Sequence, residues 1–212
     1  MTQPTPEQVA VFRERVYERW RAEGRHDLPW RRTADPYAVL VSEVMLQQTQ
    51  VARVLPKYEG WLAEFPTADA LAAAPLEAVL RAWSGLGYHR RAVALKRAAE
   101  TVTREHAGVV PRDEAALRAL PGVGPATAAG VLAFAFDEPA LYLETNVRAA
   151  LIHDFFPGRD DVRDAELIPV LAAVLDRDRP RDWYHALLDY GYAIKREVPN
   201  PSRRSAHHSR QS

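Results

Sequence analysis

Apolar residues recur every three to four positions along most of the chain, the spacing of one face of an α-helix, and no two-residue alternation is sustained anywhere. The pattern predicts helices over residues 6–22, 36–49, 51–65, 67–73, 75–83, 89–107, 113–119, 125–136, 144–156, 164–176 and 181–194. Prolines 36, 66, 75, 111, 121, 157 and 180 stand at the boundaries, where a residue without an amide hydrogen is tolerated. The tail VPNPSRRSAHHSRQS has two prolines and few apolar residues, which predicts an extended or disordered arm. The fold class is therefore all-α.

Composition narrows the picture. The 212 residues are 47% hydrophobic and 26% charged, with a formal net charge of zero. Whole-chain disorder needs low hydrophobicity and a large net charge, so it is excluded. No apolar run approaches the roughly 18 residues of a membrane span. The start, MTQPTPEQVA, has no basic region before an apolar stretch, so no secretory signal is expected. A cytoplasmic location follows, on the nucleoid if the organism is a bacterium. There is no cysteine, which excludes thiol catalysis and any cysteine-held zinc or iron–sulfur cluster.

Charge is uneven along the chain. Residues 84–104 carry Arg90, Arg91, Lys96, Arg97 and Arg104 against Glu100. Residues 195–212 carry Lys195, Arg196, Arg203, Arg204 and Arg210 against Glu197. Each segment sums to +4. Either would serve phosphate binding, or would form a solvated helix face and a frayed tail. Histidines 89, 106, 153, 185, 207 and 208 follow no common metal-ligand spacing, so surface and tail roles are expected.

Two segments carry chemistry. In ADPYAVLVSEVMLQQ, Asp35 suits a helix cap and Pro36 a first turn. At about 100° per residue, Tyr37, Leu40, Val41, Val44 and Met45 share one face, with Val39 and Leu46 nearly opposite. Glu43 falls between these groups. Desolvation would raise the pKa of such a carboxylate and suit it to general-acid work; the alternative is a buried Glu satisfied by an Arg or by backbone donors. In DEAALRALPGVGPATAAGVLAFAF, two helices flank LPGVG. Gly122 and Gly124 leave amides uncovered beside a helix N-terminus, an arrangement that binds anions. No lysine follows, so a nucleotide P-loop is not expected. A phosphate clamp and a tight helical corner both fit.

These motifs carry a resemblance. LPWR (28–31), SEVMLQQTQV (42–51), WSGLGYHRRA (83–92), LPGVGPATA (120–128), LETNVRAAL (143–151) and ALLDYG (186–191) resemble, in order, the helix–hairpin–helix base-excision DNA glycosylases. MutY-type adenine glycosylases are nearest, endonuclease III more distant. The resemblance implies a two-lobed fold with its active site in the interlobe cleft. One lobe, residues 28–136, would be a helical barrel with the hairpin; the other would join 1–27 to 137–212 with its basic arm. Glu43 matches the general acid and Glu144 the sugar-facing acid. Leu28, Trp30, Arg31, Leu46, Asn146 and Asp189 match the base pocket. Gln47, Gln48, Tyr88, Gly122, Gly124 and Thr127 match DNA contacts, with Gln48 and Tyr88 entering the stack. The basic arm adds Arg203 and Arg204. The family's hairpin can hold a monovalent cation, Na or K, here at the carbonyls of Arg118, Leu120 and Val123.

The sequence departs from that family at four places. Glu144 stands where the family has Asp. Ala126 stands where bifunctional relatives carry a nucleophilic Lys, so lyase chemistry is expected to be weak or absent. The four-cysteine cluster loop expected after ALLDYG is missing, so no iron–sulfur cofactor is expected. The residues after that motif are too few for the 8-oxoguanine-recognising domain of full-length MutY proteins. The expectation is a monomeric glycosylase acting on double-stranded DNA with a mismatch or lesion, releasing adenine, with no membrane partner. Alternatives are a uracil, thymine or oxidised-pyrimidine glycosylase, or a non-catalytic damage-binding protein.

Overall fold

The computed structural model describes residues 3–206 and is helical there, apart from one isolated bridge between Val162 and Ser205. The chain forms two compact units. One is continuous, Asp27–Phe136; the other combines the segment ending at His26 with the chain from Asp137 onward.

The continuous unit holds α2 (Pro36–Leu46), α3 (Val51–Glu64), α4 (Ala68–Ala73), α5 (Leu76–Trp83), α6 (Arg90–Glu105), α7 (Glu114–Ala119) and α8 (Pro125–Phe136), preceded by a 3-10 helix at Pro29–Arg31. Asp35 caps α2 by accepting the amides of Tyr37 (3.1 Å) and Ala38 (3.3 Å). α2 and α8 are apolar on nearly every side and pack on each other. In α8, every residue from Thr127 to Ala135 is buried, and its many small side chains permit that close packing. Trp61, Trp83 and Tyr58 complete the core. The Trp61 ring meets Trp83 edge-on at 5.4 Å, and Tyr58 donates to the Ala38 carbonyl (3.1 Å). Each such side chain contributes roughly 1.5–3 kcal/mol by leaving water.

The helix predicted over 36–49 ends early, at Leu46. The cause is tertiary: the Arg91 guanidinium bonds the carbonyls of Val44, Met45 and Gln47, and Gln48 adopts φ 52°.

The discontinuous unit holds α1 (Pro6–Glu23), α9 (Thr145–Phe155), α10 (Asp164–Val174), α11 (Pro180–Glu197) and a 3-10 helix at Pro201–Arg204. Thr5 and Gln8 cap α1 reciprocally. Phe12 sets its ring edge against Phe155, Trp183 and Tyr190, at 5.0, 6.0 and 5.9 Å. The Tyr184 hydroxyl donates to the Ala140 carbonyl (2.6 Å) and accepts the Tyr142 amide (3.0 Å), which fixes the approach to α9.

Residues 198–206 are not the extended or disordered arm expected. Asn200 caps the short helix by accepting the Ser202 amide and hydroxyl. The bridge to Val162 follows, through its amide to Arg204 and its carbonyl from Ala206, both 2.9 Å. The Arg204 guanidinium donates to the carbonyls of Phe156 (2.8 Å), Arg159 (3.2 Å) and Ile152 (3.3 Å). Ile152 and Phe156 also accept backbone amides, from Phe156 (3.2 Å) and Arg159 (3.3 Å), so Arg204 adds a second donor to each and ties the tail to the turn after α9. His207, His208 and Arg210 lie outside the described residues. No helix among the described residues is long and apolar enough to cross a membrane.

Candidate active site and nucleic-acid interface

Glu43 lies on α2 between Ser42 and Val44, both buried, and is itself half-buried. The 3-10 helix at Pro29–Arg31 packs against α2. It buries Trp30, whose ring stands edge-on to Tyr58 at 5.5 Å; Leu28 just before it is buried too. Arg31 and Leu46 are half-buried. The continuous unit thus contains Glu43, Leu28, Trp30, Arg31 and Leu46, with an apolar wall from Leu28 and Trp30.

The turn leaving α2 exposes one side chain and retains another. The Gln47 amide donates to the Thr127 hydroxyl (3.0 Å). Thr127 is buried, so this pair ties α2 to α8 rather than presenting a hydroxyl to DNA. Gln48 is exposed at φ 52°, and Tyr88 is 42% exposed at φ 45°. Left-handed backbone is uncommon for non-glycine residues and concentrates at functional positions.

The sequence leaves Arg91 either to a phosphate-binding face or to a solvated one, and the structure gives neither. Instead it is buried, with backbone carbonyls and the Thr49 hydroxyl as its partners. A charge count detects its sign but not its acceptors, which are distant in sequence.

In the hairpin, Gly122 adopts φ 79°, and a Cβ there would lie 2.7 Å from the Ala94 side chain on α6. Glycine is therefore required twice over, by conformation and by contact. Gly124 begins the backbone bonding of α8 by accepting the Ala128 amide (2.9 Å). The Leu120 carbonyl accepts the Val123 amide (3.1 Å). A cavity of about 260 Å³ opens between α2, α6 and the hairpin, lined by Val44, Gln47, Arg90, Arg91 and Gly122 among others.

The discontinuous unit holds the second set. Glu144 is the N-cap of α9, its Oε1 accepting the amides of Asn146 (2.5 Å) and Val147 (2.9 Å). The Asn146 carboxamide donates to Glu144 Oε2 (3.3 Å), while its Oδ1 is buried without a hydrogen-bond partner. Burial pushes the Glu144 carboxyl above the ordinary carboxylate range, opposed by the Val147 and Asn146 amides, Lys195 and Arg148. Burial lowers the Lys195 ammonium, and Glu144 pulls it back up. Asp189 is buried and accepts the Arg25 amide (2.9 Å) and Nε (2.6 Å). The Arg25 guanidinium also lies 4.3 Å from the Tyr192 ring centre. Sequence reading missed Arg25, and it counted Lys195 in the basic C-terminal segment rather than beside Glu144.

Ala126, exposed in the first turn of α8, offers no amine. Arg203 is exposed, whereas Arg204 holds the carbonyls described above and is not part of a free basic arm. Among the described residues no three His, Cys, Asp or Glu side chains could hold a metal ion.

Residues 41–168 match the model of the HhH-GPD superfamily of base excision DNA repair proteins. The adenine DNA glycosylase of Mycolicibacterium smegmatis is 41% identical over 170 residues, covering 80% of this chain and 58% of that protein. The Homo sapiens adenine DNA glycosylase is 37% identical over 199 residues, covering 88% of this chain and 36% of that one. The chain thus spans at most about three fifths of either relative. A thermostable thymine-DNA glycosylase superposes with a TM-score of 0.78 at 26% identity, covering 87% of this chain and 86% of that one.

Proposed function

Because the chain belongs to the HhH-GPD superfamily of base excision DNA repair proteins, we propose that it is a DNA glycosylase releasing adenine from mismatched duplex DNA. The observation that carries this reading is α2 itself. It ends one turn after a half-buried acid and delivers, from that end, an exposed Gln48 held in left-handed backbone. A base inside a duplex is out of reach, so it must be extruded, at a cost of a few kcal/mol. Gln48 and Tyr88 fill the gap and support the kinked stack. Leu28, Trp30, Arg31 and Leu46 receive the base.

Glu43 then donates its proton to the departing base as the N-glycosidic bond breaks. Glu144 stabilises the positive charge that develops on the sugar. Water adds to the sugar carbon and loses a proton to the emptied carboxylate, leaving free base and an abasic site. The hairpin of Gly122 and Gly124 grips a phosphate. With Ala126 in place of an amine, the enzyme is monofunctional, and borohydride does not trap it on its substrate. It acts as a monomer without a resident cofactor beyond a monovalent cation at the hairpin, in the cytoplasm or on the nucleoid.

The test is single-turnover base release from duplexes with adenine opposite 8-oxoguanine, guanine or cytosine, and with uracil or thymine opposite guanine. Adenine release supports the reading. Thymine release alone supports a second reading, favoured by the likeness to the thymine-DNA glycosylase structure, which spans nearly that whole chain. Tight binding to abasic duplex without any release overturns both.

A further inference from the structure

Arg91 is the second residue of α6, 8% exposed, and its hydrogen bonds among the described residues run to carbonyls and a hydroxyl. Its Nη1 donates to the carbonyls of Val44 (2.9 Å), Met45 (3.2 Å) and Gln47 (2.5 Å). Its Nη2 donates to the Thr49 hydroxyl (2.9 Å) and to the carbonyls of Leu86 (3.0 Å) and Gly87 (3.4 Å). Its backbone amide donates to the Tyr88 carbonyl (2.8 Å). The guanidinium also lies 5.3 Å from the Trp83 ring centre and 5.4 Å from that of Tyr88.

These partners fall into two groups. One brackets Gln48, through residues 47 and 49. The other leads into and includes Tyr88, through residues 86–88. Both Gln48 and Tyr88 have positive φ, a conformation that persists only where the surroundings over-determine it. Arg91 is the side chain common to both. A planar fork with five N–H donors reaches both groups at once, which a single ammonium cannot do.

Stability alone does not account for this arrangement. The cation is buried among neutral acceptors, its Nε has no hydrogen-bond partner among the described residues, and burial lowers its pKa. Apolar replacements for buried charges are often neutral or stabilising, so a charge kept in such a site points to conformational specificity. Nor is Arg91 a phosphate ligand, because both Nη atoms are turned to protein oxygens.

We infer that Arg91 is a positioning residue that mounts the Gln48 turn and the Tyr88 loop as a single device, so that the two side chains enter the duplex together. This rests on the reading that Gln48 and Tyr88 enter DNA. It goes further by making them one element rather than two independent wedges. Loss of Arg91 therefore disables the device while both acids keep their side chains.

The experiment is a double-mutant cycle on base extrusion, read by the fluorescence of 2-aminopurine at the target position, with single-turnover release measured in parallel. Arg91→Lys is made in the wild-type chain and in one carrying Gln48→Ala and Tyr88→Ala. In the wild-type background it slows extrusion about tenfold or more; in the doubly substituted background it changes extrusion less than about twofold, because residues in one network are not additive. Equal slowing in both backgrounds overturns the inference. If Gln48→Ala with Tyr88→Ala leaves extrusion unchanged, the reading of the wedges fails instead, and the inference with it. Should Arg91→Lys not fold, Thr49→Val carries the same comparison, with a smaller slowing expected in the wild-type background only.

Discussion

A Cβ on Gly191 would lie 2.0 Å from the carbonyl oxygen of Asn146, so α11 and the first turn of α9 touch backbone to backbone. Any side chain at 191 pushes that turn away, and with it the cap formed by Glu144. Gly191→Ala is expected to cost about 1–3 kcal/mol or more, the range of overpacking in a tight core. That lowers Tm by several degrees at about 2–4 °C per kcal/mol for a chain of this size. Gly60→Ala in α3, where a Cβ meets nothing within 4 Å, provides the control and raises stability by up to about 1 kcal/mol. Urea unfolding of the two variants checks both signs.

Glu43→Gln keeps the shape of the side chain and removes its proton. Base release should fall by about a hundredfold or more, the scale of general-acid catalysis, with affinity for mismatched duplex unchanged within a few-fold. Retention of most of the single-turnover rate would remove Glu43 from the mechanism.

Glu144 links rate and stability to pH. Its carboxyl is pushed above its ordinary value of 4.5, so the folded state holds that proton longer than the unfolded chain does. The sign follows from linkage: the group favours folding fully below pH 4.5, and this contribution is lost as pH rises through the folded value. Urea midpoints at pH 4 and pH 8 should therefore move in favour of Glu144→Gln at the higher pH. In the proposed mechanism base release needs the ionised form, so the wild-type rate should fall on the acid side at a pH above the ordinary carboxylate range. Glu144→Gln should lower the rate about a hundredfold or more and abolish that limb. Glu144→Asp keeps the charge and loses up to about a hundredfold through position. A pH profile unchanged in Glu144→Gln would reduce the residue to a helix cap.

Arg203 and Arg204 should separate cleanly. Arg204→Ala removes three hydrogen bonds to the turn after α9 and destabilises by about 1–3 kcal/mol, without altering the salt dependence of DNA binding. Arg203→Ala leaves stability alone and reduces the slope of log affinity on log salt by about 0.9 if it meets a phosphate. Titrations at several salt concentrations decide whether either residue touches DNA.

Elements with a local cause are legible in the sequence. The cap of Asp35 and Pro36 begins α2 where the residues indicate, and the all-round apolar pattern of that helix makes Glu43 conspicuous. The glycine at 122 is legible as a turn, though not as the contact with Ala94 that also requires it. What escapes are pairings between residues far apart in sequence. The acceptors of Arg91 on α2 and in the turn after it lie 42–47 residues away by number, and Arg25 meets Asp189 across 164 positions. Neither pairing alters the periodicity. The early end of α2 belongs with them, since no glycine or proline follows Leu46 and the stop is imposed by Arg91. At the C-terminus, prolines suggest an extended arm, but Pro201 sits at the start of a 3-10 helix, where its fixed φ is an advantage.

The discontinuity of the second unit orders events on the ribosome. Chains fold from the N-terminus as they emerge, and Asp27–Phe136 forms a compact unit from one continuous stretch. α1 does not. Arg15 bonds Asp154, Tyr17 bonds Asp176 and Arg19 bonds Glu197, at separations of 139, 159 and 178 residues. α1 is thus made well before its partners, and it waits with Phe12 and Val16 uncovered until α9, α10 and α11 emerge. Nascent chains stalled after Phe136 should contain a protease-resistant continuous unit trailing a cleavable N-terminal segment.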